Sequence, residues 1–372
     1  MLTGLLGIRL LLLVGDTVPL PAPYEVSSAL KSVEVTNDDR AGDGFQLTFK
    51  VAKDAVVDYG LVLSEAVAPF KRIVLGIVFG ALPEVLIDGI VTHLQLTPSE
   101  EPGGATLSVT GRDVSVMLDL EEKNEEYPNQ PDFVIATRVL AGYAQYGLVP
   151  QPTPTTDVPI FLQRIPRQQE TDLRFLNRLA RRNGFVFYVE PITLGVNKAY
   201  FGPENRLSFP QPALTTNLGP STNVRALGFS HDGMAPVATQ GSFVEPITKT
   251  TLPIPALPPL KVPPLVLEPA PARRTVLTRD TAQESPVQAA LSVLSSTTNA
   301  PDAVTAQGEV DSVRYGHVLR ARQLVGVRGA GFSYDGLYYV SRVTHRIEDG
   351  GYSQRFSLSR EGTKSLTPAV PP

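Results

Sequence analysis

Four histidines, His93, His231, His317 and His345, are the first residues to test for chemistry. No two lie at metal-ligand spacing, and there is no His-Glu-x-x-His motif to place two imidazoles on one helix face. His93 and His345 alternate with Thr92/Leu94 and Thr344/Arg346, the pattern of ordinary strand histidines. Ser230-His231-Asp232 brings the three triad residue types together in sequence. Triads are assembled from separated segments, because adjacent side chains cannot adopt the relay geometry. Gly228-Phe229-Ser230-His231-Asp232-Gly233 also misses the Gly-x-Ser-x-Gly elbow. Asp38, Asp39 and Asp43 could in principle face a calcium ion. They lack the alternating spacing and terminal Glu of an EF-hand loop, so a solvated hairpin turn is expected.

Other clusters read the same way. Gly326-Val327-Arg328-Gly329-Ala330-Gly331 has the wrong glycine spacing for a dinucleotide loop and a strand after it, which suits a hairpin connection. Glu121-Glu122-Lys123-Asn124-Glu125-Glu126 reads as a solvated connector. Arg174, Arg178 and Arg182, at i, i+4 and i+8, form a basic helix face that could meet an acidic partner, with solvent exposure the simpler expectation. Cysteine is absent, which removes disulfides, thiolate nucleophiles and zinc–cysteine sites. No catalytic, cofactor or metal residues emerge.

The elements around these residues are mostly strands. The chain has 372 residues, 42% apolar and 19% charged, enough for two or three cored domains. Its formal charge of −4 argues against nucleic acid. Ile8–Val14 reads as a buried strand stopped by Gly15-Asp16. Arg9 interrupts the apolar run, so no signal peptide and no membrane insertion are expected. Leu30–Thr36 and Phe45–Val51 flank an Asp/Gly-rich turn, and strands follow at Arg72–Phe79, Glu84–Leu96 and Ala105–Gly111. Residues 1 to about 120 are therefore expected to form an antiparallel barrel or sandwich.

Helices are predicted over Asp132–Gly147, with Asp132 as N-cap and Gly147 as C-cap, and over Glu170–Asn183, stopped by Gly184. Phe185–Val189 is dense in β-formers. The proline-rich segment 246–274 is expected to be polyproline-II or irregular. A helix at Ser285–Ser295 and strands at Val304–Val310, His317–Val327, Gly336–Arg346 and Tyr352–Ser359 complete the chain. Asp335-Gly336 and Asp349-Gly350-Gly351 are turn signals between the last strands. The fold class expected is β-rich α+β: two tube-like antiparallel β-barrels with inserted helical and α+β segments. The expected division is a first barrel at 1–125, a hub segment at 126–245 that lends strands to the second barrel, a proline-rich linker at 246–274, a helix and second barrel at 275–362, and a loose tail at 363–372.

Four segments, in order, resemble the phage late-control protein D family, the baseplate hubs of contractile tails, whose module also forms the N-terminal part of VgrG spikes. Gln168–Val189 is similar to the helix-to-strand signature, with Asp172, Phe175, Leu176, Arg178, Leu179 and Gly184 at the matching positions. Asp88–Thr92 and Thr110–Asp119, with Gly111 and Asp113, resemble first-barrel segments. Tyr338–Ile347 with Gly350–Phe356 resembles the closing hairpin of the second barrel. The resemblance implies a non-enzymatic homotrimer in which three protomers with two barrels each form a six-unit ring. That ring would join a sixfold inner tube or tube initiator to a threefold spike protein, beside other baseplate subunits. It implies assembly in the cytoplasm of the producing bacterium and then incorporation into a tail or injection particle. The alternatives are an unrelated β-rich protein-binding module and, further off, a hydrolase.

Overall fold

A computed structural model describes residues 9–53, 58–79, 82–101, 103–159, 165–244, 250–257, 261–278, 286–348, 351–367 and 370. The first β region runs β1 (Arg9–Gly15), β2 (Leu20–Pro21), α1 (Tyr24–Ala29), β3 (Leu30–Asp38), β4 (Gly44–Val51), α2 (Gly60–Leu63), β5 (Arg72–Phe79), β6 (Leu82–Thr97) and β7 (Ala105–Asp113). Strict alternation drives β4: Phe45, Leu47, Phe49 and Val51 are buried while Gln46 and Lys50 face out. The hydrogen-bonded order is β3-β4-β7-β6-β5-β1-β2.

One core holds Leu12 of β1, Val33 and Val35 of β3, and the inward residues of the strands between them. From β3 to β1 is five strand spacings, about 24 Å if the sheet were flat. Val26 of α1 and Val67 share this core, Leu61 and Val62 of α2 pack against it, and with β1 and β3 in one cluster the sheet curls around it. No ladder closes the curl into a barrel among the described residues.

The middle of the chain carries a 3-10 turn at Val114–Leu118, then β8 (Glu122–Glu126), α3 (Asp132–Ala141), β9 (Leu148–Pro152), β10 (Arg167–Thr171), α4 (Asp172–Arg182), β11 (Val186–Thr193) and β12 (Val196–Gly202). The acidic run is mostly solvated, as expected, but it is a strand and not a connector: β8 pairs antiparallel with β10. The first expected helix is shorter than its apolar spacing suggested. α3 ends at Ala141, and Gly147 (φ 74°) caps a separate 3-10 turn over Ala144–Tyr146. Asp132 does not cap either. It is the first helical residue, and its buried carboxylate accepts from Arg182 and from Asn183 Nδ2 at 2.7 Å.

Next come β13 (Gln211–Thr215), β14 (Val224–His231), β15 (Val237–Val244), β16 (Thr251–Leu257), β17 (Arg274–Leu277), α5 (Pro286–Thr298), β18 (Val304–Val310), α6 (Ser312–Tyr315), β19 (Leu324–Arg328), β20 (Gly336–Glu348) and β21 (Gly351–Arg360). The proline-rich segment departs from expectation at β16, a strand that pairs antiparallel with β15 across a register shift at Thr239/Gly241. It lies at the edge of the order β16-β15-β17, where proline's missing N–H leaves no inner ladder unmatched. Residues 246–249 and 258–260 lie outside the described residues. The expected strand His317–Val327 is a strand only from Leu324. Gly316 and Arg322 take positive φ (70° and 63°), and Gln354 occupies the backbone of His317 and Leu319 instead of a ladder doing so. The tail expected to be loose is anchored at Ser365, which is 2% exposed and bridges Val266. Asp349 and Gly350, read as a turn, lie outside the described residues, as does Ser285.

The two β regions are one sheet. β20 pairs with β21 along its length, with β19 at its start and with β3 over Arg342–Glu348, so the order reads on as β14-β18-β21-β20-β3. β13 leads back to β14 through a short turn in which Asn223 N donates to Thr215 O at 3.0 Å. The β-rich α+β class is thus realised as a continuous 13-stranded sheet, with a middle helical layer that has its own core.

Candidate functional site

The signature helix α4 is positioned by a buried polar knot. Thr171 caps it, its hydroxyl accepting from Arg174 N. Asp172, 1% exposed, accepts from Gln168 Nε2 at 2.7 Å, Tyr143 Oη at 2.7 Å and Lys123 Nζ at 2.6 Å. Tyr127 Oη in turn donates to Gln168 Oε1 at 2.7 Å. One carboxylate therefore ties together β8, β10, α4 and the start of the 3-10 turn that follows α3. Phe175 stacks on Tyr127 at 5.4 Å between ring centroids, and Arg178 lies over the Phe175 ring. Leu176 and Leu179 are fully buried in the middle core. Gly184 turns the chain with φ 68°, and a Cβ there would press on Ser295 of α5 at 3.3 Å.

The basic face of α4 is exposed at Arg174 and Arg178, as expected, but each of its three arginines also has an acidic partner within the chain. Arg178 Nε meets Glu170 at 2.6 Å, Arg174 Nε lies 3.7 Å from Asp119, and Arg182 pairs with Asp132. Arg174 and Arg178 stay about half exposed or more, so their pairs contribute little stability. Arg182, 17% exposed, joins α4 to α3.

Gly111 and Asp113 lie where β7 crosses β6. A Cβ on Gly111 would collide with the Phe45 ring and with Ile90 O. Asp113 accepts from Ser115 N at 2.8 Å and Asp43 N at 3.0 Å, fixing the 3-10 turn to the β3–β4 loop. Its carboxyl is pushed up by burial and by the neighbouring Asp43. Nearby, Asp88 takes two hydrogen bonds from Arg72, at 2.8 and 2.6 Å, and a third from Asn197 of β12 at 2.9 Å.

The acidic turn Asp38–Asp43 is the largest departure from the sequence reading, because its three acids are buried while only Arg40 and Ala41 stay exposed. Asp43 is 1% exposed and Asp38 6% exposed. Arg322, 2% exposed, reaches across from the second β region to both Asp43 oxygens and donates to Asp38 O at 2.6 Å. Burial opposes the Arg322 charge, yet Asp43 outweighs it and holds the guanidinium protonated. Arg342 Nε donates to Asp38 Oδ2 at 2.5 Å. A second buried cluster unites Arg206 with Glu204, Asp302 and Glu361, and Lys261 from the proline-rich segment with Glu204 and Asp302. Both clusters link segments more than a hundred residues apart. No spacing rule could have found them, since the partners are brought together only by the fold.

The histidines do not converge. His93, His231 and His317 are exposed, and Asp232 serves its own turn by accepting from Met234 N at 2.8 Å. His345 is buried, its Nδ1 2.8 Å from Tyr352 Oη. Among the described residues, no three His, Asp or Glu side chains come together as a metal site, and no helix is long and apolar enough to cross a membrane.

No protein-family model matches the chain, and no curated protein matches it in sequence. Solved structures match along nearly its whole length. A tail protein from Neisseria meningitidis MC58 superposes with a TM-score of 0.62 at 14% identity, over 96% of this chain and 98% of that one. The chain has the fold of phage tail proteins. The 43 kDa tail protein of prophage MuSo2 from Shewanella oneidensis gives 0.63 at 16% identity, over 95% and 98%. The E. coli c3393 protein gives 0.56 at 15% identity, over 92% and 77%. That protein is described as a type VI secretion component with structural similarity to the T4 tail proteins gp27 and gp5. At these identities the likeness concerns fold, and it agrees with the late-control and VgrG resemblance of the four sequence segments.

Proposed function

We propose that this chain is a structural baseplate hub of a phage tail or contractile injection system, forming a homotrimeric ring that adapts a sixfold inner tube to a threefold spike. The observation that carries this reading is the end-to-end match to two tail proteins, 95–96% of this chain against 98% of each neighbour. The buried charge clusters support it, because a ring subunit under axial load gains from rigid registration of its two β regions. The residues that match the hub signature are read as framework: Asp172, Phe175, Leu176, Arg178, Leu179 and Gly184 hold the helical layer, and Gly111 and Asp113 hold the first β region. The division at 1–125, 126–245, 246–274, 275–362 and 363–372 is kept as the domain plan, with Ser365 anchoring the last part.

The partners proposed are two further copies, a spike protein, an inner-tube or tube-initiator protein and other baseplate subunits. The chain is read as non-enzymatic, acting in a particle assembled in the producing cell. Light scattering on the purified chain, alone and co-expressed with the spike encoded beside it, tests this. A threefold mass that gains a spike is expected. A chain that stays monomeric and binds no spike refutes the hub reading.

A further inference from the structure

A cavity of about 380 Å³ opens where the β3–β4 turn, Glu204, the proline-rich segment, the α5–β18 loop, β20 and β21 meet. Its charged lining is four acids, Asp38, Asp39, Glu204 and Asp302, against three bases, Arg40, Lys261 and Arg342. Three of the acids are matched at short range: Asp38 by Arg342 at 2.5 Å, Asp302 by Lys261 at 3.1 Å, and Glu204 by Arg206 at 3.1 Å. Asp39 is the remainder. It is only 9% exposed, its carboxylate accepts no hydrogen bond among the described residues, and its nearest cation is Arg40 Nε at 3.9 Å. Arg40 is half exposed and shared with Glu204 and Asn299 O. Asp39 faces the cavity with only this loose partner, so it is the carboxylate of the lining with most to gain from a further positive donor.

We infer that this cavity is a receptor for a cationic side chain, a lysine or arginine, presented by another protein of the assembly. The occupant would donate to Asp39, with the hydroxyls of Ser341, Ser357 and Ser359 available around it. The volume suits one long side chain, and with Glu204 answered by Arg206 from behind the lining, Asp39 and Arg40 are left as the loosest ion pair around the cavity. Burial lifts the Asp39 carboxyl to about 6; Arg40 opposes the rise, while Glu204 and Asp38 add to it. Metal is the poorer fit, since no three ligands converge among the described residues. The choice of a protein occupant rests on the assembly reading above; the demand for a cation does not.

The absence of native cysteine makes the test direct. Ser357→Cys places one thiol in the cavity, and Ser341→Cys is a second variant should the first not fold. Each is reacted with 2-aminoethyl methanethiosulfonate, a cation, and 2-sulfonatoethyl methanethiosulfonate, an anion. Rates are normalised to the same chain unfolded in urea. A cation preference of about tenfold or more is expected, falling several-fold in the Asp39→Asn background. A ratio near one in the native chain, or one indifferent to Asp39→Asn, overturns the cation site. In particles isolated from producing cells the same thiol should be protected. Labelling at the free-chain rate in particles that contain the chain overturns the protein occupant alone, whereas absence of the chain from particles counts against the hub reading. Protection of the free chain by dilute putrescine would assign the cavity to a small diamine and also overturn the protein occupant.

Discussion

Replacing Arg322 by methionine keeps most of the side-chain length and removes the charge that joins the two β regions. In the native chain the guanidinium makes two contacts with Asp43 and one with Asp38 O, and it lies 4.3 Å over the Tyr188 ring. At 3 Å and an effective dielectric near 20, the gross attraction of such a pair is about 5 kcal/mol. Much of that is offset by the desolvation of both ions, so the intact pair contributes little net stability. The asymmetry appears when one partner is lost. Asp43, 1% exposed, would remain charged or take up a proton in a site that still presents Asn37 Nδ2 and Asp38 N. Arg322→Met is therefore expected to cost about 3–5 kcal/mol. Asp43→Asn added to it should recover at least about 1 kcal/mol by removing the stranded charge. With no tryptophan in the chain, urea unfolding is followed by far-ultraviolet circular dichroism. A single variant within about 1 kcal/mol of the parent, or a double variant no more stable than the single, refutes the idea that this pair fastens the two regions.

Three other changes test the remaining framework. Asp172→Ala removes the acceptor shared by Gln168, Tyr143 and Lys123, and should cost about 2–4 kcal/mol in the same urea assay, whereas a loss below about 1 kcal/mol would show the knot to be dispensable. Gly111→Ala drives a methyl into Phe45 and Ile90 O and should destabilise by about 1–3 kcal/mol, while Gly228→Ala, with open space around it, should be close to neutral; equal effects at the two positions would remove the packing explanation. His345 is held neutral, its folded pKa lowered to about 3 by burial and then by Arg320. Between about pH 6.5 and 3 the unfolded chain binds the extra proton, so stability must fall as pH drops through that window. Roughly 2.5 kcal/mol is at stake between pH 6.5 and 4.5, and His345→Gln should flatten that slope in urea midpoints taken at several pH values.

The strands were readable where one face meets a core. The alternation from Phe45 to Val51 and the short apolar runs of β5 and β6 are local signals, and local physics decided them. The α4 stripe was readable for the same reason: Leu173, Leu176, Leu179 and Ala180 need only a 3.6-residue period. Gly147 shows how such a signal misleads. Its left-handed conformation was foreseen, but it caps a 3-10 turn, because α3 stops at Gly142 and the chain turns early into β9.

The charged residues failed as local signals, and the reason is general. A run such as Asp38-Asp39-Arg40-Ala41-Gly42-Asp43 has the composition of a solvated turn, and a solvated turn would have the same sequence. What buries it is Arg322, 279 residues away, together with Arg342 at a distance of 304. In sequence both arginines fall within expected strands, and nothing local tells that Arg322 is buried while Arg342 stays half exposed. Arg322 even adopts a left-handed φ of 63°, a conformation that costs a non-glycine residue energy and persists only if the surroundings over-determine it. Two bonds to Asp43 and one to Asp38 O supply that determination. The same reasoning separates Asp39 from its neighbours: Asp38 and Asp43 have distant arginines, and Asp39 has only the sequence-adjacent Arg40 at 3.9 Å. Asp38 and Asp43 are thus held by close bonds to remote arginines, while Asp39 keeps only a loose local pair at the mouth of the cavity, which is why the Asp39→Asn arm of the thiol-labelling test is the informative one.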